Sequence, residues 1–216
     1  MTIRRVALLH LLGAVILLSS CGGGGDGDAA PPPVQTAFKT FITTAEFTGD
    51  IRAAGGMGTA IASADALCQA DAGKPAGSAT YKAMLVDGVN RIACATMMCA
   101  GGLAEHVDWV FKPNADYYQS DGTTLVFTAN ANGVFDFSSA GANRFGSGAG
   151  PYWTGLNEGV AAWVTVSNQL CSGASGAWSD TAGIGDFGST AFTGWGAIGG
   201  GAQGCTALKH LVCVEQ

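Results

Sequence analysis

Ile61-Ala62-Ser63-Ala64-Asp65-Ala66-Leu67-Cys68-Gln69-Ala70-Asp71 sets the class of the fold. Ala64, Leu67, Cys68 and Asp71 follow Ile61 at three- and four-residue steps, which predicts a helix with one apolar face and Cys68 on that face. Ser63 reads as its start signal, and Gly73 with Pro75 as its stop. The flanking sequence has the other period. Phe41, Thr43, Ala45 and Phe47 alternate within Phe38 to Phe47, predicting a half-buried first strand that ends at Thr48-Gly49-Asp50. Tyr81 to Val86 alternates into an Asp87-Gly88 turn, and Asp121-Gly122 and Asn132-Gly133 bracket a strand at Thr124-Leu125-Val126-Phe127. Trp153-Thr154-Gly155-Leu156, Trp163-Val164-Thr165-Val166 and Leu208 to Cys213 supply further apolar segments. One helix and many short strands predict an α+β domain.

Composition narrows the function. The 34 glycines are scattered between apolar residues with no fixed period, which reads as a loop-rich fold with many tight turns. Net charge is −6. Each neutralised phosphate or sulfate needs a Lys or Arg, so nucleic acid and heparin are excluded as natural partners.

At the N-terminus, Arg4 and Arg5 precede the apolar run Val6 to Leu18, which is too short to span a bilayer, and Leu18-Ser19-Ser20-Cys21 closes it. This arrangement resembles a bacterial lipoprotein export signal. The resemblance implies that residues 1–20 are removed, that Cys21 carries acyl chains anchoring the protein in the lipid bilayer, and that net charge becomes −8. Gly22, standing where an aspartate marks inner-membrane retention in enteric bacteria, implies outer-membrane placement in the cell envelope. An ordinary signal peptide with a spare thiol is the alternative. Gly22 to Gly25 and Pro31-Pro32-Pro33 make residues 21–37 a linker holding a folded domain, 38–216, off the lipid. About 180 residues make one such domain with a sizeable core.

Seven cysteines become six once Cys21 is lipidated, and an even number in an exported chain predicts disulfides, with 15 possible connectivities. Cys94 and Cys99 are spaced too widely for the usual zinc-ligand pair and have no matching second pair, so no metal and no cofactor is expected.

Catalytic signals are sparse. His106 and His210 are the histidines left after processing. His210 reads as a core or edge residue of the last strand, and Glu105-His106 with Asp108 as a solvated loop face, a metal or proton-transfer group being the alternative. Gly146-Ser147-Gly148 lacks the strand-to-helix setting of a nucleophile elbow. Asp180 and Asp186 are the carboxylate pair a hydrolase would use.

Two patches identify a family. Gly55-Gly56-Met57, Ala64-Asp65, Cys68 and Tyr81-Lys82-Ala83-Met84-Leu85, followed by Trp153-Thr154-Gly155-Leu156, Cys171, Trp178, Cys205 and Leu211-Val212-Cys213-Val214-Glu215, resemble the endostatin-like branch of the C-type-lectin-like superfamily. The resemblance runs from Phe38 to Gln216, loosely between Ala93 and Gly150. It implies a mixed, mostly antiparallel sheet with one main helix and long loops. It also implies a Cys68–Cys213 bridge from helix to last strand, a nested Cys171–Cys205 pair and a local Cys94–Cys99 bond. Endostatin-like outer-membrane lipoproteins of spirochaetes are similar too, and several bind host matrix proteins or complement factor H, so the resemblance implies adhesion. The chain lacks endostatin's N-terminal histidine zinc site and arginine-rich surface, keeping only Arg52, Arg91 and Arg144 after processing, and it lacks the Glu-Pro-Asn calcium motif of sugar-binding lectins.

The expected activity is therefore non-enzymatic binding of an extracellular protein or glycan. An envelope-structural lipoprotein or a carboxylate-dependent hydrolase is the alternative. Exposed aromatics anchor recognition surfaces, and Trp195, flanked by Gly194 and Gly196, leads the candidates, followed by Tyr117 and Tyr118, with Asp180 and Asp186 as polar candidates.

Overall fold

The computed structural model describes residues 35–137, 143–146, 148, 150–157 and 162–216. The export signal and Cys21 lie outside them. The described chain is α+β, with one main helix and two sheets. Strand β1 (Ala37–Ile42) is followed by a short helix α1 (Ile51–Gly55), the main helix α2 (Ala60–Ala70) and β2 (Tyr81–Ala83). Next come β3 (Asp116–Tyr118), β4 (Leu125–Thr128), β5 (Pro151–Trp153), β6 (Ile184–Ser189), β7 (Ala202–Gly204) and β8 (Val212–Glu215). A mixed sheet runs β2-β8-β1-β3-β4, and its single parallel pairing is β1 with β3. A smaller antiparallel sheet runs β5-β6-β7.

The large sheet is covered on both faces, and β8 shows how. Cys213, with Phe41, Tyr81 and Ala83, joins a core formed with Ile61, Ala64 and Cys68 of α2. Val212 and Val214 join the opposite core, in which Phe111 packs against Trp109, Tyr117, Phe127, Phe145 and Trp163. Alternate residues of one strand thus enter different cores. The three disulfides are Cys68–Cys213, Cys94–Cys99 and Cys171–Cys205. The first ties α2 to β8 across 145 residues of sequence.

Several boundaries differ from the sequence expectation. Helix α2 is capped by Thr59, whose hydroxyl accepts from Ala62 N at 3.1 Å. Ser63 instead lies buried inside the helix, donating to Arg52 O and accepting from Met57 N, so it fastens α1 to α2. β1 ends at Ile42 because Thr44 N and Ala45 N turn to the Asp71 carboxylate, leaving Phe47 only an isolated bridge to Lys209. Trp163 to Val166 likewise forms bridges, to Cys94 and Leu156, without becoming a strand. At Gly155 (φ +69°) an added Cβ would lie 2.7 Å from Leu170 and 3.0 Å from Trp178, so only glycine fits there.

Arg91 is 0 % exposed. All five of its N–H groups find acceptors: Nη1 donates to Asp65 Oδ1 and Ala83 O, Nη2 to Asp65 Oδ2 and Asp108 Oδ2, and Nε to Asp108 O. Asp65 Oδ1 also accepts from Ala83 N at 2.8 Å, and Lys82 pairs with Asp108. One cation therefore joins α2, β2 and the loop that returns at Asp108. Burial by itself would lower the Arg91 pKa, but hydrogen bonds and charge from Asp65 and Asp108 outweigh it and raise it. Burial likewise pushes the Asp108 carboxyl up, and Lys82 and Arg91 overcome this and hold it below its ordinary value.

Two outcomes follow. Replacing Cys68 and Cys213 together with Ala removes a cross-link worth about 5 kcal/mol in the chain-entropy model, and denaturant unfolding of the oxidised protein will show a loss of that order. An unchanged midpoint contradicts the bridge. Arg91→Met takes the shared cation from Asp65 and Asp108, which keep water contact and, for Asp108, Lys82, and it should destabilise by about 1–3 kcal/mol. Because the folded Asp108 pKa is depressed, its contribution is present above the ordinary carboxylate range and lost as pH falls through the folded value. In Arg91→Met the acid transition should move to higher pH, as read by circular dichroism.

Candidate functional site

The β6–β7 hairpin carries the exposed aromatic groups. Four of the five tryptophans are buried, Trp109, Trp153, Trp163 and Trp178, whereas Trp195 is 41 % exposed. Trp195 opens a 3-10 turn, Trp195–Ala197, in the connection between β6 and β7. Its ring lies 4.6 Å from that of Phe137, which stacks at 5.6 Å on buried Trp163. Phe192, in the same connection, is 50 % exposed and packs against Gly196, where any Cβ would come within 2.6 Å of the Phe192 ring. The turn is fixed from below: Tyr152 Oη donates to Ala197 O at 2.6 Å and Thr154 Oγ1 to Ile198 O at 2.6 Å. An apolar surface on a rigid backing results.

The other candidates are not gathered there. Tyr117 is 0 % exposed in the core of β3, its hydroxyl accepts from Lys112 N, and burial raises its pKa. It cannot anchor an external ligand, which corrects the reading of an exposed Tyr117-Tyr118 pair: neighbouring strand residues point to opposite faces. Tyr118, half-buried, lines a separate concavity of about 450 Å³ with Gln35, Lys39 and Glu215. Asp180 accepts from Ala182 N in a turn of its own, and Asp186 is buried on β6 and engaged there.

The groups with chemical potential hold the loops together. Glu105 accepts from Thr96 Oγ1 and from the backbone N–H groups of Ala95, Thr96 and Gly101. The Thr96 hydroxyl bond leads in holding its pKa down to about 2. Cys94 and Cys99 lie beside it, already joined to each other. His106 spans Ala93 O and Asn132 O, and Asp108 is the partner of Arg91 and Lys82. Asp108 is exposed and Glu105 and His106 partly so, as expected of a loop face, and all three also tie loops together. His210 precedes β8 and bridges Tyr152 of β5, so it is not in the last strand, and its Nδ1 meets Thr43 O at 2.7 Å. Lys209, buried, lies 4.0 Å over the Phe187 ring and donates to Gln203 Oε1.

A second concavity, about 490 Å³, was not read from the sequence. Val89, 74 % exposed, stands at its rim, with Ile92, Cys94, Val164, Leu170 and Ala177 around it. Asp87 lines it too, but its carboxylate already accepts from Val89 N, Asn90 N and Arg91 N. The Asp87-Gly88 turn was the only signal for it, and a turn signal does not distinguish a groove from any other loop.

No curated protein matches the chain. The family model described as protein of unknown function (DUF1554) matches residues 50–193, from the cap of α1 into the connection that follows β6. With two thirds of its length covered by that match, the chain belongs to this family of proteins of unknown function.

Proposed function

We propose that this chain is a lipid-anchored lipoprotein of the bacterial cell envelope whose folded part is a non-enzymatic binding module, recognising a protein or glycan outside the cell through the Trp195–Phe192 surface. The observation that carries the reading is the contrast among the tryptophans. Trp153 and Trp178 donate their indole N–H groups to Phe47 O and Val86 O inside the core, while Trp195 presents an indole to solvent on an aromatic stack. Large rigid aromatics lose little conformational freedom on binding and dominate recognition energetics. With Glu105, His106, Asp108, Arg91 and Asp87 engaged in internal hydrogen bonds, the apolar area of Trp195 and Phe192 is the leading source of recognition in this reading.

The same reading makes the domain endostatin-like, of the C-type-lectin-like type. The helix-to-last-strand bridge, the nested Cys171–Cys205 pair and the seats of Trp153 and Trp178 in one core support it. On this reading the export signal, residues 1–20, is removed, and the linker, 21–37, holds the domain, 38–216, off the bilayer. The Cys21 anchor and outer-membrane location rest on the sequence.

In a binding assay against matrix proteins, complement regulators and glycans, Trp195→Ala should weaken the interaction by at least about 2 kcal/mol, roughly thirtyfold in Kd, with the melting temperature kept. Undiminished binding by that variant removes the assignment of this surface. Cys21→Ala should pass from the detergent phase to the aqueous phase on Triton partition of cells making the full chain. Retention in the detergent phase contradicts the anchor.

A further inference from the structure

Two sheets have four edges, and three are closed by the chain itself among the described residues. At β2, Asp65 accepts from Ala83 N, and Gln69 and Arg91 donate to Tyr81 O and Ala83 O. At β4, Asn143 donates through its backbone and side chain to Val126 O and Leu125 O. At β5, His210 N donates to Pro151 O and Trp153 N to His210 O. Plugging an edge with side chains or a passing segment is the usual protection against foreign strands.

The edge at β7 is open. β6 and β7 pair as Ile184↔Gly204, Gly185↔Gln203 and Asp186↔Ala202. Asp186 N donates to Gln169 O and Ile184 O accepts from Cys171 N, so those two residues turn their polar backbone away from β7. Phe187 N donates to Gly201 O and Cys205 N to Gly183 O, so the hydrogen-bonded rungs fall at odd-numbered residues, 183, 185 and 187. By the alternation of an antiparallel ladder, Ala202 and Gly204 point their N–H and C=O groups outward. All three β7 residues are exposed, and among the described residues the one partner found for these outward groups is Ala207 N, which donates to Gly204 O. The edge is Ala-Gln-Gly, with neither charge nor proline, and the connection entering it through Gly199-Gly200-Gly201 carries Phe192 and Trp195.

We infer that the ligand of this surface is an extended segment of another polypeptide, neutral or basic, which adds a strand to β7 through Ala202 and Gly204 and places an apolar side chain against Trp195 or Phe192. Outward N–H and C=O groups at strand spacing are matched by another extended backbone and not by a sugar ring. The charge of −6 disfavours an acidic segment, and it also disfavours a second copy of this chain. The inference rests on the binding reading above and names its partner class.

The test selects random linear peptides on the full chain in detergent and measures them against Ala202→Pro and Gly204→Pro, each of which removes one outward N–H while sparing the β6 rungs. Loss of roughly tenfold in affinity in both variants is expected, with the melting temperature retained. Should either variant be destabilised, amide exchange of the wild type replaces it, and the Ala202 and Gly204 amides must gain protection when peptide binds. Three results overturn the inference: no peptide enriched, peptides that bind both proline variants as tightly as the wild type, or a wild-type dimer that Ala202→Pro dissolves. The two proposals fail separately. Binding lost in Trp195→Ala but kept in the proline variants leaves the aromatic surface standing without the edge, and the reverse leaves the edge without the aromatic surface.

Discussion

A guanidinium with no contact to water is the constraint around which the domain is arranged. Arg91 has to be charged, and a buried charge is tolerated only when every donor is met. Its acceptors come from α2, from the edge of β2 and from the loop at Asp108, segments separated by up to 43 residues between Asp65 and Asp108. The geometry of one group therefore fixes how the main helix sits on the large sheet. The Cys68–Cys213 bond makes the same connection one strand further in, at β8, and constrains the unfolded chain as well.

Much of this was legible in the sequence, and the failures have physical causes. The periodic spacing from Ile61 placed the helix, and the turn pairs at Asp87, Asp121 and Asn132 sit where glycine takes positive φ at Gly88, Gly122 and Gly133. The cap was misplaced because Ser63 and Thr59 are both good capping residues, and only the packing of α1 shows that Ser63 is needed inside. α1 itself follows a Thr-Gly-Asp stretch that reads as a strand end, yet Asp50 caps it through Ala53 N. Arg91 could not have been recognised, since nothing local to an arginine reveals that three distant segments will close over it. Alternation decides Tyr117 against Tyr118, but the inward face of β3 is known only once β1 and β4 are in place.

The candidate site divides in the same way. Trp195 between two glycines was an adequate signal for an exposed ring. Phe192 became relevant because Gly196 gives it a seat, and Phe137 because it transmits the packing of Trp163 to the surface. Glu105, His106 and Asp108, weighed as chemistry in the sequence, tie together loops that a glycine-rich chain would otherwise leave expensive to order. Most aromatic rings build the core, and Trp195 and Phe192 are the large ones left exposed at this surface.

Nitrogen-15 NMR of the Arg91 guanidinium tests its burial most directly. The account predicts separate, slowly exchanging Nη proton resonances at room temperature, coupled across hydrogen bonds to the Asp65 and Asp108 carboxylates. A single averaged Nη signal in rapid exchange with water would show a free surface arginine and contradict the account.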